Sequence, residues 1–131
     1  MIVDTSAIVA ILRNEPEADA FADALTVAKI CRVSAVSYVE AAAVIDGGRN
    51  PITSRRFDDF FHEASFTVEA VTLAQARIAR EAYRDYGKGS KHPAQLNLGD
   101  CFAYALAKST GEPILFKGRD FGYTDLTSAL E

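Results

Sequence analysis

Histidine and cysteine are scarce in this 131-residue chain, which has two of each. Cys31 and Cys101 show neither zinc-ligand spacing nor a disulfide framework. Both lie among apolar neighbours, as small buried hydrophobes do. His62 falls on a polar helical face and His92 in a loop, so neither is expected to be catalytic. Long hydrophobic runs are missing too, since none approaches the ~18 apolar residues that span a bilayer. No basic stretch precedes the apolar N-terminal segment, as it would in a signal peptide. The expectation is a cytoplasmic protein without membrane contact. An excess of basic residues is also lacking. A formal charge of −4 argues against a passive nucleic-acid coat. It leaves room for an enzyme that holds phosphates through metal ions, because a site is local and net charge is not.

What is present suits a globular domain: 49% hydrophobic and 24% charged residues, without repeats, low-complexity tracts or linkers. The length fits one domain, residues 1–131, able to bury roughly two-thirds of its unfolded surface. Strand and helix patterns alternate. Met1–Val3 reads as a strand and Ser6 to Arg13 as a helix. Pro16 is placed in the first turn of a second helix running to Ala28. Ile30–Val33 reads as a strand, and Ser34 caps a helix from Ala35 to Asp46 that Gly47-Gly48 ends. Ser54 to Ala64 is amphipathic, with Phe57, Phe60 and Phe61 on one side. Thr67–Val71 is a strand, Thr72 to Tyr86 a helix stopped by Gly87, and Lys88 to Asn97 a loop. Leu98–Ser109 is a helix and Pro113–Phe116 the last strand. This alternation predicts an α/β fold with a central parallel sheet of about four to five strands flanked by helices.

Most carboxylates fall on solvated helix faces, but three do not. Asp4 stands where the first strand ends and the first helix begins, followed by Thr5 and Ser6. In open α/β sheets, ligands gather at the carboxyl ends of the strands. Glu40 lies on a helix of small and aliphatic residues with no Lys or Arg within a turn. Asp100 starts a helix that continues Cys101-Phe-Ala-Tyr-Ala-Leu-Ala107, apolar almost all round. A charged group on an apolar element is costly unless something pairs with it. Plain roles exist for each: helix caps for Asp4 and Asp100, a stripe edge reaching water for Glu40. Their joint occurrence favours a site. Three bare carboxylates within ~4 Å repel by several kcal/mol per pair, so a cation must hold such a cluster together. Hard oxygen donors suit Mg²⁺ or Mn²⁺.

The residues also carry a resemblance. Met1-Ile-Val-Asp-Thr-Ser-Ala-Ile-Val-Ala10, Ser34-Ala-Val-Ser-Tyr-Val-Glu40, Leu96-Asn-Leu-Gly-Asp-Cys-Phe-Ala-Tyr-Ala105 and Pro113-Ile-Leu-Phe-Lys-Gly-Arg-Asp-Phe121 follow one another in family order. The chain resembles the PIN-domain ribonucleases, and within them the VapC toxins of bacterial toxin–antitoxin operons. The resemblance implies a PIN-like fold and a Mg²⁺- or Mn²⁺-dependent endoribonuclease. It implies that Asp4, Glu40 and Asp100 bind the metal, with a fourth acid after the last strand. It also implies in-line attack by metal-activated water, leaving a 5′-phosphate and a 3′-hydroxyl. The family often shows Thr where this chain has Phe116, and an acid or Asn near Lys117 and Gly118. With that departure, Asp120 is the candidate fourth acid and Asp125 its substitute. Ser6 matches the family's small polar residue beside the first Asp. A VapB-like antitoxin partner and a homodimer are further implications. The first two helices and the Phe57/Phe60/Phe61 helix are candidate docking surfaces.

The most basic stretch, Tyr83-Arg-Asp-Tyr-Gly-Lys-Gly-Ser-Lys-His92, leads into the Asp100 helix. Lys88, Lys91 and Arg119 are candidate RNA contacts, with Tyr83 or Tyr86 available to stack on a base. The competing interpretation of the stretch is a solvated loop after a helix C-terminus. Two enzyme classes of similar topology fit less well. A phosphotransfer receiver needs an acidic pair at the first strand, and a haloacid-dehalogenase-type phosphatase a second Asp where Ser6 stands. The remaining alternative is a catalytically inactive PIN-like module that binds RNA or a partner.

Overall fold

The computed structural model describes residues 1–130. Four short strands, β1 (Ile2–Val3), β2 (Arg32–Ser34), β3 (Thr67–Glu69) and β4 (Ile114–Leu115), form one sheet in the order β3-β2-β1-β4. All three pairings are parallel, with Ile2 opposite Arg32 and Ile114, and Val33 opposite Val68. Parallel neighbours need crossovers, and helices supply them. These are α1 (Thr5–Leu12), α2 (Ala18–Val27), α3 (Ala35–Asp46), α4 (Pro51–Glu63), α5 (Leu73–Tyr86) and α6 (Leu98–Thr110). A 3₁₀ turn covers Asp120–Tyr123.

Successive strand residues point to opposite faces, and this divides the core. Ile2 and Ile114 join α5 and α6 in one buried cluster with Leu96, Cys101 and Leu106. Val3, Val33 and Leu115 join α1 to α4 in a second, with Ile8, Phe21, Ala41, Ile45 and Phe57. Burying a side chain as fully as Leu106 contributes roughly 1.5–3 kcal/mol. Both cysteines are buried and free.

Helix ends follow their chemistry. Ser34 accepts from the Val36 amide and opens α3, while Thr72 accepts from the Gln75 amide and opens α5. Gly111 ends α6 with φ +72°, the left-handed conformation glycine adopts without a Cβ penalty. Several boundaries differ from the sequence expectation. Pro16 lies in a turn before α2, because Glu15 closes α1 by donating to the Ala10 carbonyl. Asn50 caps α4, which therefore begins at Pro51 rather than Ser54. The strands are shorter than the apolar runs suggest, and β2 is shifted towards Ser34. Phe57, Phe60 and Phe61 do not form an outward docking face. They pack with Tyr38 and Phe66, the Phe57–Phe61 centroids lying 4.7 Å apart.

Candidate active site

Asp4 ends β1 and caps α1. Its Oδ2 accepts from the Ser6 amide at 3.0 Å and from the Ser6 hydroxyl at 2.6 Å. Ser6 Oγ in turn accepts from the Lys117 amide at 2.9 Å. One hydroxyl thus fixes the Asp4 carboxylate and ties the end of β1 to the segment leaving β4. Asp4 is only 3% exposed. Burial pushes its carboxyl up and repulsion from Glu40 adds to this, while the Ser6 hydrogen bonds oppose it.

Glu40 sits on the second turn of α3, which starts directly at the end of β2. Its Oε1 is 3.2 Å from the Thr5 hydroxyl, which is also 3.2 Å from the Ser37 carbonyl. Burial raises the Glu40 carboxyl, Asp100 raises it further, and Thr5 counteracts.

α6 begins at Leu98, as the sequence predicts, so Asp100 stands in its first turn rather than as its cap. Asn97 is the cap, and Asp100 is the third helical residue. The two close a capping box: Asp100 N donates to Asn97 Oδ1 at 2.8 Å, and Asn97 N to Asp100 Oδ2 at 3.0 Å. Burial and the nearby charges of Asp4 and Asp120 push Asp100 up to about 6, against the Asn97 amide and Lys88. The capping roles of Asp4 and Asp100 are therefore real, and they coexist with mutual repulsion.

The fourth position separates Asp120 from Asp125. Asp120 opens the 3₁₀ turn, is exposed, and is close enough for Asp100 to feel its charge. Asp125 accepts from the Tyr104 hydroxyl and from Lys108 Nζ, both at 2.7 Å, and is held below the usual carboxylate range by Lys108. It clamps the C-terminal segment to α6. Among the described residues, none of Asp4, Glu40, Asp100 or Asp120 has an ion-pair partner. Lys117 Nζ pairs instead with Glu15 at 2.9 Å and Glu17 at 3.4 Å.

Lys88, Lys91 and Arg119 are exposed, and Lys88 alone of the three influences Asp100. Tyr86 is not free to stack on a base. Its ring packs against His92 at 4.6 Å and Tyr104 at 5.6 Å, whereas Tyr83 is exposed. His92 has a loop role, its Nδ1 accepting from the Ala94 amide. An open groove of about 780 Å³ lies elsewhere, bordered by Met1, Ala24, Val27, Ile30, Pro113 and Leu130. The acids line none of the main cavities. An extended polymer does not need an enclosed one.

The comparisons with known proteins identify the family. The PIN domain family model matches residues 1–125. Ribonuclease VapC28 of Mycobacterium tuberculosis is 56% identical over 131 residues, covering 100% of this chain and 98% of its own. The chain belongs to the PIN-domain family, among the VapC ribonucleases. Ribonuclease VapC42 of the same species is 51% identical over 129 residues, 98% of either chain. Among solved structures, Mycobacterium tuberculosis VapC20, titled a Sarcin-Ricin loop cleaving toxin, superposes with TM-score 0.75 at 13% identity. That match covers 96% of this chain and 95% of the other. A toxin-antitoxin complex from Klebsiella pneumoniae gives TM-score 0.67 at 16% identity, covering 92% and 88%. At these identities the structural likeness speaks for the fold.

In this PIN domain the donor chemistry fits a hard divalent cation: carboxylate oxygens, raised by one another, without a basic partner. They are neighbours rather than a finished cage, since among the described residues no three His, Cys, Asp or Glu side chains already converge as a ligand set. Ser37, one turn before Glu40, is fully buried and its hydroxyl has no hydrogen-bond partner. Sequence reasoning missed Asn97, although Asn-x-x-Asp before an apolar run is a capping signal. It also missed the reach of Thr5 to Glu40, for which no local signal exists.

Proposed function

We propose that this chain is the toxin of a type II toxin–antitoxin pair, an endoribonuclease in which Asp4, Glu40 and Asp100 hold Mg²⁺ or Mn²⁺. The observation that carries the reading is the group of mutually repelling acids, Asp4 buried and Glu40 and Asp100 half-buried, brought from three separate segments without an ion-pair partner among the described residues. Such an arrangement costs stability and is explained by what it binds. When bound, a divalent ion there neutralises charge on a scissile phosphate and makes water a better nucleophile. The chain's own residues do the rest. Ser6 locks the Asp4 carboxylate and Thr5 that of Glu40, while the capping box orients Asp100. Asp120 stands outside this group, where it accepts a proton or orients water. Lys88, Lys91 and Arg119 engage phosphates of the RNA.

The finer partners belong to the same reading. A cognate antitoxin would insert a basic side chain among the acids, drawn by the field that attracts metal. Its apolar part would lie along α2, where Val27 is exposed beside the open groove. A homodimer would cover Val39 and Val44, which α3 leaves exposed. Among the described residues, no helix is long and apolar enough to cross a membrane.

The test is RNA cleavage by the purified chain with Mg²⁺ or Mn²⁺, against chelator and against Asp4→Asn. Metal-dependent cleavage by the wild type alone is expected. Equal inactivity of both proteins, with RNA still bound, would leave the binding-module alternative.

A further inference from the structure

Glu40 has its place because residue 99 has no side chain. A Cβ at Gly99 would stand 1.9 Å from Glu40 Oε2 and 2.3 Å from both Oε1 and Cδ, whereas real Cβ contacts essentially never fall under 3.0 Å. Backbone geometry does not account for this glycine, because its φ lies outside the left-handed range. Helix propensity does not account for it either. Gly99 is the second residue of α6, and glycine is among the poorest helix formers while alanine is the best. By contrast, a Cβ at Gly89, Gly111, Gly118 or Gly122 would meet nothing within 4 Å.

We infer that Gly99 is a positioning residue: its bare Cα is one wall of a slot that seats the Glu40 carboxylate at the first turn of α6, beside Asp100. Thr5 is the opposite wall, its hydroxyl 3.2 Å from Oε1. The first amides of a helix have no intrahelical partners and favour negative charge, so the slot holds the acid where the local field suits it. The link to metal binding rests on the function proposed above. The slot itself does not.

Two measurements separate the two ideas. In metal-free thermal unfolding, Gly99→Ala is expected to lower the midpoint in the wild-type background, because the new methyl displaces the Glu40 head. In a Glu40→Ala background the same change should raise the midpoint, since only helix propensity remains. A shift of the same sign in both backgrounds would overturn the slot. Mn²⁺ binding, followed by the paramagnetic resonance signal of the free ion, is expected to weaken at least about tenfold in both Gly99→Ala and Glu40→Gln. If Glu40→Gln weakens it and Gly99→Ala does not, Gly99 has no positioning role for the metal and the proposal fails there. If neither does, Glu40 is not a ligand. The sign reversal still decides the slot.

Discussion

The two ends of the parallel strands treat carboxylates in opposite ways. Around the start of β1 and β4, Glu112 has two partners, and Arg32 at the start of β2 links it to Glu69 at the end of β3. Arg32 Nε is 2.8 Å from Glu112 and its Nη1 is 2.7 Å from Glu69, while the N-terminal ammonium also meets Glu112. Burial acts against the Glu112 carboxylate, yet the ammonium and Arg32 hold it below the usual range. On the side of the strand ends, Asp4, Glu40 and Asp100 are raised, and among the described residues none of them has an ion-pair partner. The first side is arranged for stability of the chain alone. The second, in the function proposed above, is arranged for a cation that the chain acquires.

The largest effect that tests this contrast is on cleavage. Asp4→Asn, Glu40→Gln or Asp100→Asn should each lower the RNA cleavage rate by at least about a hundredfold, several kcal/mol of lost stabilisation. Arg32→Met should leave the rate within about twofold, since Arg32 opens β2, at the start of the strand rather than at its end. An Arg32 variant with the same loss of cleavage would abolish the distinction between the two sides.

Stability should respond in the reverse order. Arg32→Met leaves Glu69 without its partner and Glu112 with the N-terminal ammonium alone, and is expected to lower the midpoint of denaturant unfolding. The acids should behave otherwise, and pH shows how. Asp100 is raised to about 6 from an unfolded value of about 3.9. The folded chain therefore binds more protons than the unfolded one between these values. Its stability falls as pH rises through that window, and the penalty is complete above it. Asp100→Asn should stabilise the metal-free protein at pH 7.5 by about 1–2 kcal/mol, allowing for solvent screening, and by almost nothing at pH 3.5. Mn²⁺ at pH 7.5 should raise the unfolding midpoint of the wild type more than that of the variant. A variant that is less stable at both pH values would show the carboxylate to be mainly a cap.

The same contrast explains what the sequence made legible. Asp4, Glu40 and Asp100 stood out because a carboxylate among apolar residues is anomalous wherever it occurs. Ser34, Thr72 and Gly87 marked helix limits by local chemistry, and the structure uses each of them so. Contacts between distant segments left no such trace. Nothing near Thr5 indicates that its hydroxyl meets Glu40 rather than Asp4, and nothing near Gly99 names the carboxylate above it. Phe57, Phe60 and Phe61 showed an apolar stripe, but amphipathicity does not say whether the chain itself covers it. Here Tyr38 and Phe66 do. Pro16 carried a helix-start signal that the closing turn of α1 overrode.

The smallest expected effects fall on the pair that sequence alone left open. Asp125 is already satisfied by Tyr104 and Lys108, so it belongs with the paired acids although it lies near the C-terminal end of the chain. Tyr104→Phe or Asp125→Asn should cost about 0.5–1.5 kcal/mol of stability, one hydrogen bond's worth, and leave cleavage intact. Asp120 has no ion-pair partner and Asp100 feels its charge. Asp120→Asn should therefore leave the unfolding midpoint unchanged while slowing cleavage several-fold, with the loss in kcat rather than KM. The opposite pattern, a stable Asp125→Asn that no longer cleaves beside a fully active Asp120→Asn, would move the fourth acid to Asp125. It would require the Tyr104–Lys108 clamp to open when RNA binds.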